Sequence, residues 1–93
     1  MRMEFEWDEI KSERTRRERG VGFDAAIGIF EGRVVQWEDE RRDWGEIRIV
    51  AVGVANGRFL TVVYTDRGER RRIISARVSR ETERERWRSS ERL

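Results

Sequence analysis

The 93-residue chain contains no cysteine, no histidine and no proline, and a single lysine, Lys11. The missing thiols exclude disulfides, thiolate metal sites and cysteine nucleophiles, and nothing argues for an oxidising compartment. Without imidazole the chain lacks the usual proton-transfer group near neutral pH and the commonest metal ligand, a severe constraint on any enzymatic reading. No apolar run approaches the roughly 20 residues of a membrane span. The start MRMEFEWDE lacks the shape of a signal peptide. A soluble, cytoplasmic protein with no membrane association and no cofactor is expected.

What is abundant is charge, at 43% of residues with a net of +2, and 20 of the 21 basic residues are arginine. The arginine fork binds phosphate bidentately and stacks on bases. Codon bias or a warm habitat is an equally good explanation for arginines scattered elsewhere. The positive excess is local: residues 67–80 hold six basic side chains against one acidic, the form a phosphate-binding footprint takes. The plain alternative is a solvated arginine-rich strand. A chain of this length suits one domain, residues 1–93, with a small core.

The strongest pattern runs from Phe59 to Arg80. Phe59–Thr65 and Ile73–Val78 are β-branched, aromatic or aliphatic, with Asp66, Arg67, Gly68 and Glu69 as turn residues between them. Ile47–Val54 is a third such run, and Asn56-Gly57 separates it from Phe59, the strongest short-range hairpin signal. If Ala55 pairs with Arg58 and Thr65 with Arg70, alternation assigns every side chain to a face. Ile49, Ala51, Gly53, Leu60, Val62, Tyr64, Ile73 and Ser75 form the core face, with Arg71 and Arg77 at its ends. Val50, Val52, Val54, Phe59, Val63 and Ile74 take the other, together with Arg48, Arg70 and Arg72 beside Thr65. That arginine cluster is a candidate anion site.

Upstream, Glu4–Trp7 alternates as a short edge strand, and Asp8 is a good cap for a helix over about 9–19 that stops at Gly20. Its one large aliphatic residue is Ile10. Phe23, Ala26, Ile27 and Phe30 form an amphipathic stripe ending at Gly32, the main core helix. Residues 33–38 read as a strand with Val35 and Trp37 on one face, followed by the polar loop 39–45. Trp44 either pins that loop or stacks on a base. Ser79 is placed to cap a final helix anchored by Trp87, with the chain loose beyond it.

FEWD at Phe5–Asp8, GVGFDAA and IF within Gly20–Phe30, GE and Arg48 at 45–48, VVYTDRGERRRIISAR at Val62–Arg77, and the RERW near the end occur together. In order and spacing the combination resembles the BrnT toxins of type II toxin–antitoxin pairs over nearly the whole chain. The resemblance implies a RelE-like α+β fold: an antiparallel sheet of four to five strands, two N-terminal helices on one face and a short C-terminal helix. It further implies a small endoribonuclease acting on RNA, neutralised by a BrnA-type antitoxin through which operator DNA is bound. By position, Glu46 and Arg48 fill the family's E-x-R, and Arg72, Ser75 and Arg77 its R-I-I-S-A-R strand. The chain departs at two places. Arg19 stands where the family commonly has a histidine before the helix-ending glycine, and Arg41 or Arg42 stands for a second histidine before E-x-R. Where either histidine carries proton transfer in relatives, this chain is expected to be slower or inactive.

Metal-independent RNA cleavage needs a base at the 2′-hydroxyl, a cation facing the phosphorane and a proton donor for the leaving oxygen. Arginine suits only the second role, since its pKa above about 12 makes it a poor base. The residue assignment is therefore Arg48 and Arg72 on the phosphate, Glu46 as base or as a structural partner of a neighbouring arginine, Tyr64 as donor, and Arg70, Ser75 and Arg77 positioning RNA. The alternative is a non-catalytic module binding nucleic acid or a partner, with Val50, Val52 and Ile74 exposed for an antitoxin to cover. A metal-dependent nuclease using Glu38, Asp39 and Glu46 is a weaker third reading.

Overall fold

In the computed structural model, which describes residues 3–41 and 43–90, five strands form one mixed sheet in the order β1-β5-β4-β3-β2. The elements are β1 (Glu4–Glu6), α1 (Glu9–Arg19), α2 (Phe23–Ala26), β2 (Val35–Glu38), β3 (Ile49–Ala55), β4 (Arg58–Arg67), β5 (Arg70–Val78) and α3 (Glu81–Ser90). A 3-10 segment, Ile27–Glu31, follows α2. The α+β class is as expected, but the sheet is not wholly antiparallel, because β1 runs parallel to β5. A parallel pair needs a crossover connection, and the helices between β1 and the remaining strands supply it.

The Asn-Gly hairpin forms as its chemistry dictates: Ala55 pairs with Arg58, and Asn56 and Gly57 take φ of 52° and 75°. The second hairpin is tighter than expected. Arg67 pairs with Arg70 around Gly68-Glu69, with Gly68 at φ 61°, so Thr65 faces Arg72 and not Arg70. Further along, Tyr64 pairs with Ile73 but Val63 pairs with Ser75. Ile74 is therefore a one-residue bulge, which flips every later side chain of β5 to the opposite face. Ala76 enters the core, and Ser75 and Arg77, assigned by unbroken alternation to the core face, lie on the arginine face.

The main core joins Val21, Phe23, Ala26 and Ile29 to Ala51, Ala55, Leu60, Val62, Tyr64, Ile73 and Ala76. The expected stripe Phe23, Ala26, Ile27, Phe30 is shifted: Phe23, Ala26 and Ile29 are fully buried and Phe30 half-buried. The chain tightens into 3-10 geometry after Ala26, and a period of three aligns 23, 26 and 29. Gly53 lies under this segment, where an added Cβ would meet Ile29 Cβ at 2.9 Å. Small sheet residues thus admit the helical layer, as expected.

Asp8 caps α1 by accepting the Lys11 N–H at 3.1 Å, and Gly20 ends it at φ 78°. Ile10, expected to be its apolar contact, is 80% exposed. The helix is held by polar groups instead: Ser12 Oγ accepts the Phe23 N–H at 2.9 Å, and the Arg19 guanidinium donates to the Ala76 carbonyl at 3.2 Å.

α3 covers part of the arginine face, so Val50 and Val52, expected to be exposed, are buried, and Ile74 is half-buried. Trp87 packs edge-on against Phe59 at 5.3 Å and donates to the Arg33 carbonyl. The helix continues to Ser90 and is not loose after Trp87. Ser79 was expected to cap it, but its hydroxyl lies 2.7 Å from Thr61 Oγ1, while the Glu83 carboxylate reaches back to the Arg80 N–H at 2.8 Å. Glu83 also accepts both Arg77 guanidinium nitrogens at 2.7 Å and the Thr61 hydroxyl.

Burial alone would raise the Glu83 pKa, but the Arg77 fork, the Arg80 N–H and the Thr61 hydroxyl outweigh it and hold the carboxyl down to about 2. A carboxylate depressed on folding stabilises the protein fully above its unfolded pKa of about 4.3 and loses that contribution as pH falls through the folded value. The loss, on the order of 3 kcal/mol, is therefore expected between about pH 5 and pH 2. Urea unfolding of wild type and Glu83→Gln across this range tests it: the wild type should fall steeply, and the variant, less stable at pH 7, should fall less.

Candidate active site

Side chains of the arginine face fall into rows across the sheet. In one row Glu6 on β1 pairs with Arg72 on β5, and Arg72 with Thr65 on β4. The Thr65 hydroxyl donates to the Ile47 carbonyl at 2.7 Å, which brings Arg48 beside Thr65 at the entry to β3. Asp39 completes the row, donating its N–H to the Arg48 carbonyl at 2.7 Å. Arg48 and Arg72 thus lie on the same face, separated by the short side chain of Thr65. The next row outward holds Glu4, Arg70 and Arg67.

Each guanidinium has a carboxylate nearby, but the pairs differ in closeness. Arg48 Nε stands 3.3 Å from Glu46, Arg67 is 3.4 Å from the other Glu46 oxygen, Arg72 is 3.7 Å from Glu6, and Arg70 is 3.8 Å from Glu4. Arg48 and Arg67 donate long hydrogen bonds to Glu46, whereas Arg72 and Arg70 are paired by charge alone; partly exposed pairs of this kind contribute little stability and can be exchanged for another anion. Arg77 is different. Its bidentate pair with Glu83 commits it to docking α3, so it positions the helix rather than offering a free fork.

The Arg48 guanidinium lies over the Trp44 ring, 4.1 Å from its centroid. Trp44 therefore packs against a cation of this face. Asp39 is buried and accepts from Arg41 at 2.9 Å; this hydrogen bond, with help from Arg48, outweighs burial and lowers its pKa. Between the loop and α3 lies a cleft of about 580 Å³ with Val50, Val63 and Ser75 on its floor and Trp37, Arg77 and Arg80 on its walls.

Ser75 belongs to this surface because of the bulge, and Glu46, Arg48, Arg70 and Arg72 meet on it as expected. Tyr64 does not join them. It is 2% exposed on the helix-covered face, its hydroxyl donating to Gln36 Oε1 at 2.9 Å with the Arg71 guanidinium over its ring. Burial pushes its pKa up, away from any easy proton release. The sheet lies between this hydroxyl and the arginine row. Sequence reasoning missed Glu6, whose signal was the alternation of Glu4, Phe5 and Glu6.

Of the arginines named for the family's histidines, Arg19 reaches the β5 edge and Arg41 pairs with Asp39. Arg42 lies outside the described residues. The metal-dependent reading has no donor set here, since among the described residues no three acidic side chains converge on a point that could hold an ion. Nor is any helix among them long and apolar enough to cross a membrane.

Fold and surface together define a small α+β domain whose partly open sheet face is lined by loose arginine–carboxylate pairs. Residues 7–83 match the family model of the ribonuclease toxin BrnT of type II toxin–antitoxin systems, and the chain belongs to that family. No curated protein matches it. Membership makes it a ribonuclease toxin, with RNA as its substrate class and an antitoxin as its partner.

Because the Tyr64 hydroxyl serves Gln36 beneath the sheet, Tyr64→Phe is expected to cost about 1 kcal/mol of stability and to leave RNA cleavage within about twofold of wild type. Urea unfolding and initial cleavage rates check the two halves separately.

Proposed function

We propose that this protein is a metal-independent endoribonuclease that cuts RNA on the arginine face. The reading rests above all on Arg48 and Arg72, which flank Thr65 on the same partly open face with carboxylates no closer than 3.3 Å. Thr65 itself is buried, so a phosphodiester bridging the exposed edges of the Arg48 and Arg72 side chains above it receives both guanidinium groups. These stabilise the additional negative charge that develops on the non-bridging oxygens as the phosphorane forms. Glu46, which touches Arg48, accepts the 2′-hydroxyl proton. Arg70 and Arg67 continue the positive track along the outer row, Ser75 contributes a hydroxyl at the cleft floor, and Arg77 fixes the wall through Glu83.

The domain spans residues 1–93 and works in the cytoplasm. Its antitoxin is of the BrnA type, and operator DNA is bound only through the toxin–antitoxin complex. Carboxylates from a partner can replace Glu6 and Glu46 on the same arginines, which places neutralisation and substrate binding on one surface.

A second reading, binding of RNA without cleavage, is favoured by the carboxylate neighbours of every site arginine and by the missing imidazoles. Incubating pure protein with RNA, with and without EDTA, separates the two. Cleavage should survive EDTA and fall about 10²–10³-fold in Arg48→Ala and in Arg72→Ala, the usual cost of losing one transition-state cation, while circular dichroism shows the fold intact. Cleavage abolished by EDTA and restored by magnesium, or unchanged in Arg48→Ala, overturns the proposal. Tight, salt-sensitive binding without cleavage establishes the second reading.

A further inference from the structure

We infer that the cleft between the loop at 39–41 and α3 holds the base of a guanosine beside the cleaved phosphodiester, and that Arg80 reads it. The inference deepens the endoribonuclease reading and rests on it for the place of the cut.

The place of the cleft follows from strand register. Trp37 pairs with Val50, Val50 with Val63 and Val63 with Ser75, so these four side chains form one row across β2, β3, β4 and β5. The row of Arg48, Thr65 and Arg72 lies on the same face, two residues away along β3 and β4, a separation of about 7 Å. On the other side Val35, Val52, Thr61 and Arg77 form the next row, and α3 covers it, leaving Val52 and Thr61 buried. The open floor is therefore one row wide, with the arginine row along one side and a helix along the other. Both walls are fixed. Glu83 holds α3 to the Arg77 fork, and Asp39 ties the loop to Arg41 at 2.9 Å and to the Arg48 carbonyl at 2.7 Å.

The lining suits a base better than a second phosphate. Val50 and Val63 give the middle of the floor no donor for an anion, whereas an apolar surface packs against the face of a base. The half-buried Trp37 ring stands at the β2 end, with the Arg86 guanidinium 4.0 Å from its centroid. Three strand spacings of about 4.8 Å separate this end from Ser75 on β5, about 14 Å in all, which accommodates a base with its ribose. The volume of about 580 Å³ is that of a small-ligand site.

Recognition of the base edge falls to Arg80. Of the arginines lining the cleft, Arg41 and Arg77 each give two guanidinium nitrogens to a carboxylate. The Arg80 side chain is exposed and makes no hydrogen bond or ion pair among the described residues; only its backbone N–H is engaged, by Glu83. A free planar fork matches two adjacent acceptors, and guanine alone presents them, as O6 and N7. Adenine and cytosine put an amino donor at that edge, and uracil a single acceptor. The Ser75 hydroxyl on the floor both donates and accepts, so it adds contact without preference.

The test digests a pool of RNA oligonucleotides carrying every base at the two positions flanking the cut, with pure wild type and with Arg80→Ala, and maps the cuts. At one of the two positions wild type should cut beside guanine about 5–150-fold faster than beside any other base. Arg80→Ala should cut all of them alike, near the wild-type rate at the poor sites. Inosine, which keeps O6 and N7, should behave as guanine, and 7-deazaguanine, which lacks N7, as a poor base. Binding of non-cleavable 2′-O-methyl oligonucleotides makes the same comparison without chemistry, the guanine preference appearing in Kd and vanishing in Arg80→Ala. Because the Arg80 side chain is exposed, urea unfolding of the variant should match wild type. The inference is overturned by equal treatment of all bases in wild type, by preference for another base, or by a guanine preference that survives Arg80→Ala or 7-deazaguanine. A uniform loss of affinity for every sequence in Arg80→Ala would make Arg80 a phosphate contact and also overturns it. Arg48→Ala should slow every site and keep the preference. If Arg48→Ala cuts normally while the preference follows Arg80, the arginine-row assignment falls and the base site stands. If Arg48→Ala is slow and wild type treats all bases alike, the base site falls alone. Protein that binds RNA without cutting it overturns the endoribonuclease reading, and the Kd comparison then decides the base site.

Discussion

One extra residue in β5 decides what the rest of this molecule can present. Because Ile74 has no counterpart on β4, alternation is reset at that point. Before it, Arg72 faces outward and Ile73 inward; after it, Ala76 fills the core beneath α2 while Ser75 and Arg77 turn to the surface that carries Arg48. Without that reset, Arg77 would enter the apolar layer that holds Phe23 and Ile29, and Glu83 would lose its bidentate partner. Docking of α3, burial of Val52 and the walls of the cleft all follow from one local irregularity in strand pairing. A bulge is a permanent means of aiming a side chain, since undoing it would expose Ala76 and turn the Arg77 charge into the core.

The chemistry is shaped by a second constraint, the near-exclusive use of arginine. A guanidinium is well suited to holding a phosphodiester and poorly suited to moving a proton, so the surface divides labour by residue type. Cations are placed in rows by strand pairing, and Glu46, in the loop before β3, stands at the end of one row. Trp44 contributes through the Arg48 guanidinium stacked over it and not through an open ring. Arg19 and Arg41 are occupied with a carbonyl and a carboxylate partner.

Much of the architecture was legible because it follows from local rules. Asn56-Gly57 demanded a tight turn and made one; Asp8 and Gly20 bounded α1; Val35 and Trp37 alternated as a strand should. What stayed hidden depended on contacts between distant segments. No propensity announces a bulge, since Ile73, Ile74 and Ser75 all suit a regular strand. The parallel docking of β1 and the covering of Val50 and Val52 depend on where α1 and α3 pack. For the site, residue type and the E-x-R spacing were enough to bring Glu46, Arg48 and Arg72 onto one face. They were not enough to see that Tyr64, one residue from Thr65, points through to the other side.

The carboxylates placed loosely beside the outer arginines have a further effect. Glu4, Glu6 and Glu46 act as tethered counter-ions, so the surface is close to neutral on its own scale although its cations are dense. A nucleic acid binding here performs ion exchange, displacing anchored anions as well as mobile ones. A polyanion that merely drifts past gains little from this trade, whereas a strand that also fits the neighbouring cleft gains shape contacts at the same time.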